Sequence, residues 1–241
     1  MAKHYSIPYG TFAVDFETAL KDYYGDGATI ESASGRAITF TCPQICDKLL
    51  ALSTFGNNYH PTLYLKGVFD GAVTFHSGGS TASSGGSSNS AVGPYHLILA
   101  DNFLLLQVVD SGTATFSSSI LVAKTTNGRF LCMGGLNGTS TYGKCYFTDD
   151  PNSRPVYFMA PAKKRVRMGK KIPIVQSYFA VNGEMELNAD GTLAYIEGLY
   201  LTGEITTGGI VGLNYFLSNA SINGSTTDGT FMPSAFYVEL E

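Results

Sequence analysis

Apolar positions recur along this chain with two different periods. Near the amino terminus Phe12, Phe16, Ala19, Leu20 and Tyr23 fall at intervals of four, three, one and three, one face of a helix with about 3.6 residues per turn. Thr11 stands where a cap is expected and Gly25 where a helix stops. Pro43 suits a first helical turn, and Ile45, Leu49 and Leu52 then predict a second helix ending near Gly56. Arg36-Ala37-Ile38-Thr39-Phe40-Thr41 between them reads as a strand, so the opening is α+β.

From Thr62 onward the period changes. Short runs rich in β-branched, aromatic and leucine residues alternate with Gly, Asn, Asp or Pro, the pattern of successive strands. The predicted strands cover 63–69, 72–76, 95–100, 103–109, 120–125, 129–133, 145–148, 156–160, 172–181 and 193–201. Asp70-Gly71, Asn127-Gly128 and Asn182-Gly183 lie between apolar runs as hairpin turns, and Asp190-Gly191 suits a similar reversal. The fold class that follows is mainly β with a small N-terminal α+β part, built as an antiparallel sandwich or barrel-like stack of sheets.

Composition rules out several classes. Of 241 residues 44% are hydrophobic and 14% charged, which excludes a disordered chain. No apolar run approaches the length of a membrane helix, and the amino terminus lacks the apolar core of a secretory signal, so the expectation is a protein kept in the cytoplasm where it is made, with no membrane span. Residues 77–94 are dominated by Ser and Gly and form a long loop that cannot order itself by burial; a partner subunit is its expected clamp.

Charge is segregated. Residues 151–172 carry Arg154, Lys163, Lys164, Arg165, Arg167, Lys170 and Lys171 and no acid, whereas 173–241 carry only acids: Glu184, Glu186, Asp190, Glu197, Glu204, Asp228, Glu239 and Glu241. The net charge of −4 hides this division. Four parts result: an α+β segment 1–61, a β-rich region 62–160, a basic connector 161–172 and an acidic β region 173–241. The six cations Lys163, Lys164, Arg165, Arg167, Lys170 and Lys171 are the candidate partner-binding residues. They suit an acidic protein surface, including the acidic region of a second copy, or nucleic-acid phosphates, although no aromatic interleaves them to stack bases.

Catalytic chemistry is weakly represented. Gly138-Thr139-Ser140-Thr141-Tyr142-Gly143-Lys144-Cys145 imitates a phosphate-binding loop, but Cys145 replaces the magnesium-binding hydroxyl and a strand follows instead of a helix. The histidines stand apart at 4, 60, 76 and 96; His76 and His96 flank the Ser/Gly loop and face each other if it closes a hairpin, either as a polar pair or as metal ligands. Cys42, Cys46, Cys132 and Cys145 lack zinc spacing and read as buried thiols. Glu184, Glu186, Glu197 and Glu204 allow a glycosidase carboxylate pair or a solvated sheet face. No cofactor is implied and no catalytic residue is assigned.

Across nearly its whole length the chain resembles the structural proteins of tailed-bacteriophage virions, the tail, baseplate and head-accessory subunits. The resemblance is carried by small-residue strands with Gly, Ser, Thr and Asn turns, as in Ile120-Leu121-Val122-Ala123-Lys124-Thr125-Thr126-Asn127-Gly128-Arg129 and Gly191-Thr192-Leu193-Ala194-Tyr195-Ile196-Glu197-Gly198. It implies a non-enzymatic virion subunit acting by assembly with copies of itself and other virion proteins, and it transfers no functional residue. A receptor- or glycan-binding tail-tip module, using Tyr142, Tyr195, Tyr200 and Tyr215, is the alternative, and a cell-wall hydrolase the third reading.

Overall fold

The computed structural model describes residues 1–54, 62–66, 75–76, 94–107, 119–135, 144–152, 154–160, 167–169, 172–202, 210–212, 215–217, 225–226 and 235–241. Among these residues the strands form three sheets with one α-helix, and the fold is mainly β as the sequence pattern predicts. The middle layer is a six-stranded antiparallel sheet in the spatial order Lys3–Ile7, Tyr95–Ala100, Phe103–Gln107, Ser119–Lys124, Phe130–Gly135, Lys144–Phe147.

Successive side chains of a strand point to opposite faces, so a sheet covered on both sides needs apolar residues at every position. Phe103–Gln107 meets that demand with four apolar residues followed by Gln107, and all five are buried. Leu104 and Leu106 enter one core with Leu97, Leu99, Ile120 and Val122. Phe103 and Leu105 enter a second core with Ile98, Leu121, Leu131 and Phe147. The uninterrupted apolar run that excludes polar alternation in the sequence is thus the mark of a middle layer. Each fully buried Leu, Ile or Phe contributes roughly 1.5–3 kcal/mol.

One face is covered by the helix Phe12–Tyr24 and a five-stranded sheet of Thr29–Ser34, Ala37–Cys42, Cys46–Ser53, Thr62–Lys66 and Phe75–His76. The helix buries Phe12, Phe16, Ala19, Leu20 and Tyr24, the predicted stripe shifted by one residue at its end. Gly25 ends it with φ 54°, its N–H donating to the Lys21 carbonyl. Thr11 supplies no side-chain cap; its hydroxyl donates to Asp15 instead.

The second predicted helix is a strand. Cys46–Ser53 pairs with Ala37–Cys42 on one side and Thr62–Lys66 on the other, after a reversal closed by the Ile45 N–H donating to the Cys42 carbonyl at 3.0 Å. Cys46, Leu50 and Leu52 alternate inward, and Pro43 serves the turn rather than a helical first turn. Two flanking strands satisfy the backbone of this segment on both edges, an outcome invisible in its local spacing.

The other face carries the third sheet, in the order Ile210–Gly212, Tyr215–Leu217, Ala235–Glu239, Tyr195–Thr202, Pro173–Val181, Val156–Ala160 and Ser225–Thr226, with Arg167–Met168 and Glu184–Met185 also paired to Pro173–Val181. Its inward residues Val175, Phe179, Ile196, Leu199, Phe236 and Val238 complete the second core. Val156–Ala160 and Pro173–Val181, on either side of the basic stretch, are hydrogen-bonded neighbours in this sheet. The chain passes from the middle sheet to the third between Phe147 and Val156. Termini meet here too: Ala2 bridges Leu240, and the Glu241 N–H donates to the Ala2 carbonyl at 3.0 Å.

Candidate functional site

The stacked middle and third sheets have unlike ends. One is closed by short reversals. Asp101-Asn102 joins two middle strands, and Thr125–Arg129 joins the next two, with Gly128 at φ 83° and its N–H donating to the Thr125 carbonyl at 2.8 Å. In the third sheet Asn182 at φ 51° and Gly183 at φ 83° form the predicted hairpin turn, and Asp190-Gly191 makes another, with the Asn188 N–H donating to the Thr192 carbonyl.

These reversals are bonded to one another. The Arg129 guanidinium holds Asp149 at 2.7 Å and Glu186 at 2.9 Å, and lies 3.6 Å from the centre of the Phe147 ring. Asn127 donates to Glu186 and to the Leu187 carbonyl, and the Thr126 N–H donates to the Tyr195 carbonyl at 2.9 Å. Asn102 donates to the Glu197 carbonyl at 3.2 Å. The glutamates imagined as a glycosidase pair are therefore unlike in setting: Glu186 is committed to Arg129, whereas Glu184 and Glu197 are exposed. Glu204 lies outside the described residues.

At the opposite end the strands stop without short reversals. The pairs Gln107↔Ser119 and Gly134↔Lys144 place the connections 108–118 and 136–143 there, and Tyr95 starts its strand at the same end after 77–93. In the third sheet Thr202↔Ala235 and Ile174↔Thr202 put the ends leading to 203–209 and 227–234 on this side. The predicted contact loop 77–94 lies, apart from Pro94, outside the described residues, as does Tyr142.

Of the six candidate cations, Lys163, Lys164, Arg165, Lys170 and Lys171 also lie outside them. The backbone of Arg167 pairs with Ile174, Met168 is exposed, and the Gly169 N–H donates to the Ile172 carbonyl at 2.8 Å. Gly169 rests on the ring of Tyr237: a Cβ there would stand 2.7 Å from Cζ, inside any permitted contact. Tyr215 stacks on Tyr237 with centroids 5.8 Å apart, and Tyr200 lies at 6.3 Å. Sequence reasoning missed Tyr237. Its one local trace is the glycine that interrupts the run of cations.

The histidine expectation is overturned. His76 pairs with Thr62 in the first sheet, while His96 stands across from Ser6 and Gln107 in the middle one. The side-chain partner of His96 is His4, diagonally placed on the adjacent strand: His4 Nε2 and His96 Nδ1 are 2.9 Å apart and the rings stack at 5.1 Å. Burial lowers the pKa of both from 6.5; for His96, with His4 as a second cause, to about 4.

The four cysteines are free thiols and buried, as their spacing suggests. Cys42 and Cys46 are cross-strand partners and share a core with Cys132, whereas Cys145 lies in the core on the other face. Burial raises the Cys42 pKa to about 11 and that of Cys145 further, so both are protonated at neutral pH. Lys144 and Cys145 belong to the strand Lys144–Phe147, the context that disqualifies a phosphate loop. No protein-family model matches the chain, and no curated protein is significantly similar to it in sequence.

Proposed function

We propose that this chain is a non-enzymatic structural subunit of a tailed-phage virion, a tail, baseplate or head-accessory protein that acts by assembling with copies of itself and with neighbouring virion proteins. The observation that carries the reading is the polarity of the sheet stack. A double-sided core is locked by polar contacts at one end, while the Ser/Gly-rich and other long connections leave the opposite one. Such a body fixes the strand ends that the proposed contact segments follow, which is what a repeated subunit requires.

The cationic stretch 163–171 is the proposed docking element and the acidic region 173–241 of a second copy its partner, so association depends on complementary charge. Nucleic acid is the lesser candidate for the same cations. Light scattering and native mass measurement of the full chain at rising salt test the idea. Multimers that dissociate with salt, and that are lost in K163Q/K164Q/R165Q, are expected; a salt-insensitive monomer overturns it.

The tyrosines around Tyr237 favour a second reading, a receptor- or glycan-binding tail-tip module in which Tyr200 and Tyr215 stack on sugar rings. Saccharide-array binding abolished by Y200A and Y215A would select it.

A further inference from the structure

We propose that His4 and His96 form a two-histidine clasp for a divalent transition-metal ion of the nickel, zinc or copper class, joining the edge strand Lys3–Ile7 to its neighbour Tyr95–Ala100. Imidazole nitrogens suit these metals at about 2.0–2.1 Å. Two such ligands at right angles on one ion are about 2.9 Å apart, and at the tetrahedral angle about 3.4 Å, by the geometry of those bond lengths. His4 Nε2 and His96 Nδ1 already stand 2.9 Å apart. Binding requires each ring to turn by about 45°, so that both lone pairs leave the line joining the two nitrogens and meet at one point.

The strand register holds this spacing. Residues Lys3–Ile7 and Tyr95–Ala100 are antiparallel neighbours with His4 opposite Ile98 and Ser6 opposite His96, so the two imidazoles are diagonal neighbours on one face. Ser6, His96 and Gln107 follow one another across three strands as a polar row on that face. In the metal-free pair one imidazole N–H donates to the other ring. On binding, that proton moves to the other nitrogen of its own ring, so no net proton is released. With two protein ligands, water fills the remaining positions and the ion exchanges freely.

Calorimetric titration of Ni²⁺, and separately Zn²⁺, into the full chain at pH 7.5 in a non-coordinating buffer tests the clasp. One ion per chain is expected, with H4Q and H96Q each weakening binding at least tenfold and H76Q leaving it unchanged. Nitrogen-correlated NMR of the imidazoles should show the metal-induced shift at Nε2 of His4 and Nδ1 of His96. Absence of saturable binding, or equal binding by wild type and H4Q, overturns the proposal and leaves a hydrogen-bonded pair. His4 lies on an edge strand, so H4Q retains the fold and decides the matter should H96Q destabilise it.

Discussion

At the closed end of the sheet stack, reversals of two to five residues, three of them with Gly128, Gly183 or Gly191 at positive φ, bond to one another through Arg129, Asn127 and Asn102. At the open end, strands of the same two sheets finish at Gln107, Gly135 and Thr202 and are followed by long connections rich in Gly, Ser, Thr and Asn. The two ends share a core and differ in what their connections do. Short turns with fixed dihedrals set the register of the strands and tie the sheets together. Long polar connections add little to stability, because loop-closure entropy grows only slowly with length, and their sequences are free to serve contacts. On the proposed function, stability and interaction are assigned to opposite ends of the strand axis.

Five measurements would break or sharpen this contrast. Phe103→Ala, beside the closed end and fully buried, should lose about 3–5 kcal/mol in urea unfolding through a cavity in the second core. Arg129→Ala should lose about 2 kcal/mol, since it removes two ion pairs and the contact with Phe147; a double-mutant cycle with Glu186→Gln would isolate the inter-sheet share. A loss below about 0.5 kcal/mol would mean the closed end does not lock the sheets. Gly183→Ala, at φ 83°, should cost about 1 kcal/mol by forcing a side chain into the left-handed region.

The histidine pair supplies a pH test nearer the middle. Because the folded pKa of His96 is depressed to about 4 from 6.5, the unfolded chain binds the proton first. Its contribution is therefore complete above pH 6.5 and lost as pH falls towards 4. Thermal melts should show this decline in the wild type and a flatter profile in H96Q. The smallest effect belongs to the open end: deleting residues 81–88 should change unfolding free energy by less than about 0.5 kcal/mol.

Much of the fold was legible because local signals and tertiary structure agree. Asn127-Gly128 and Asn182-Gly183 form hairpin turns because few other residues tolerate the required φ, and Phe12–Tyr24 is helical because its apolar stripe has a sheet to cover. Cys46–Ser53 defeated local reading: Ile45, Leu49 and Leu52 have helical spacing, yet Cys46, Leu50 and Leu52 alternate as well, and two neighbouring strands decided between them. The site was less legible. His4 and His96 are far apart in sequence and carry no motif, and Tyr237 meets the cationic stretch only through the sheet.

By itself the sequence determined the secondary-structure class, the turns with obligatory glycine or asparagine and the segregation of charge, since each depends on residues close in the chain. Only the tertiary structure decided which sheet lies in the middle, which histidine meets His96 and which ring lies under Gly169. Those contacts are made by strand pairing and layer packing across many residues, where register and the burial of both faces, rather than local propensity, set the outcome.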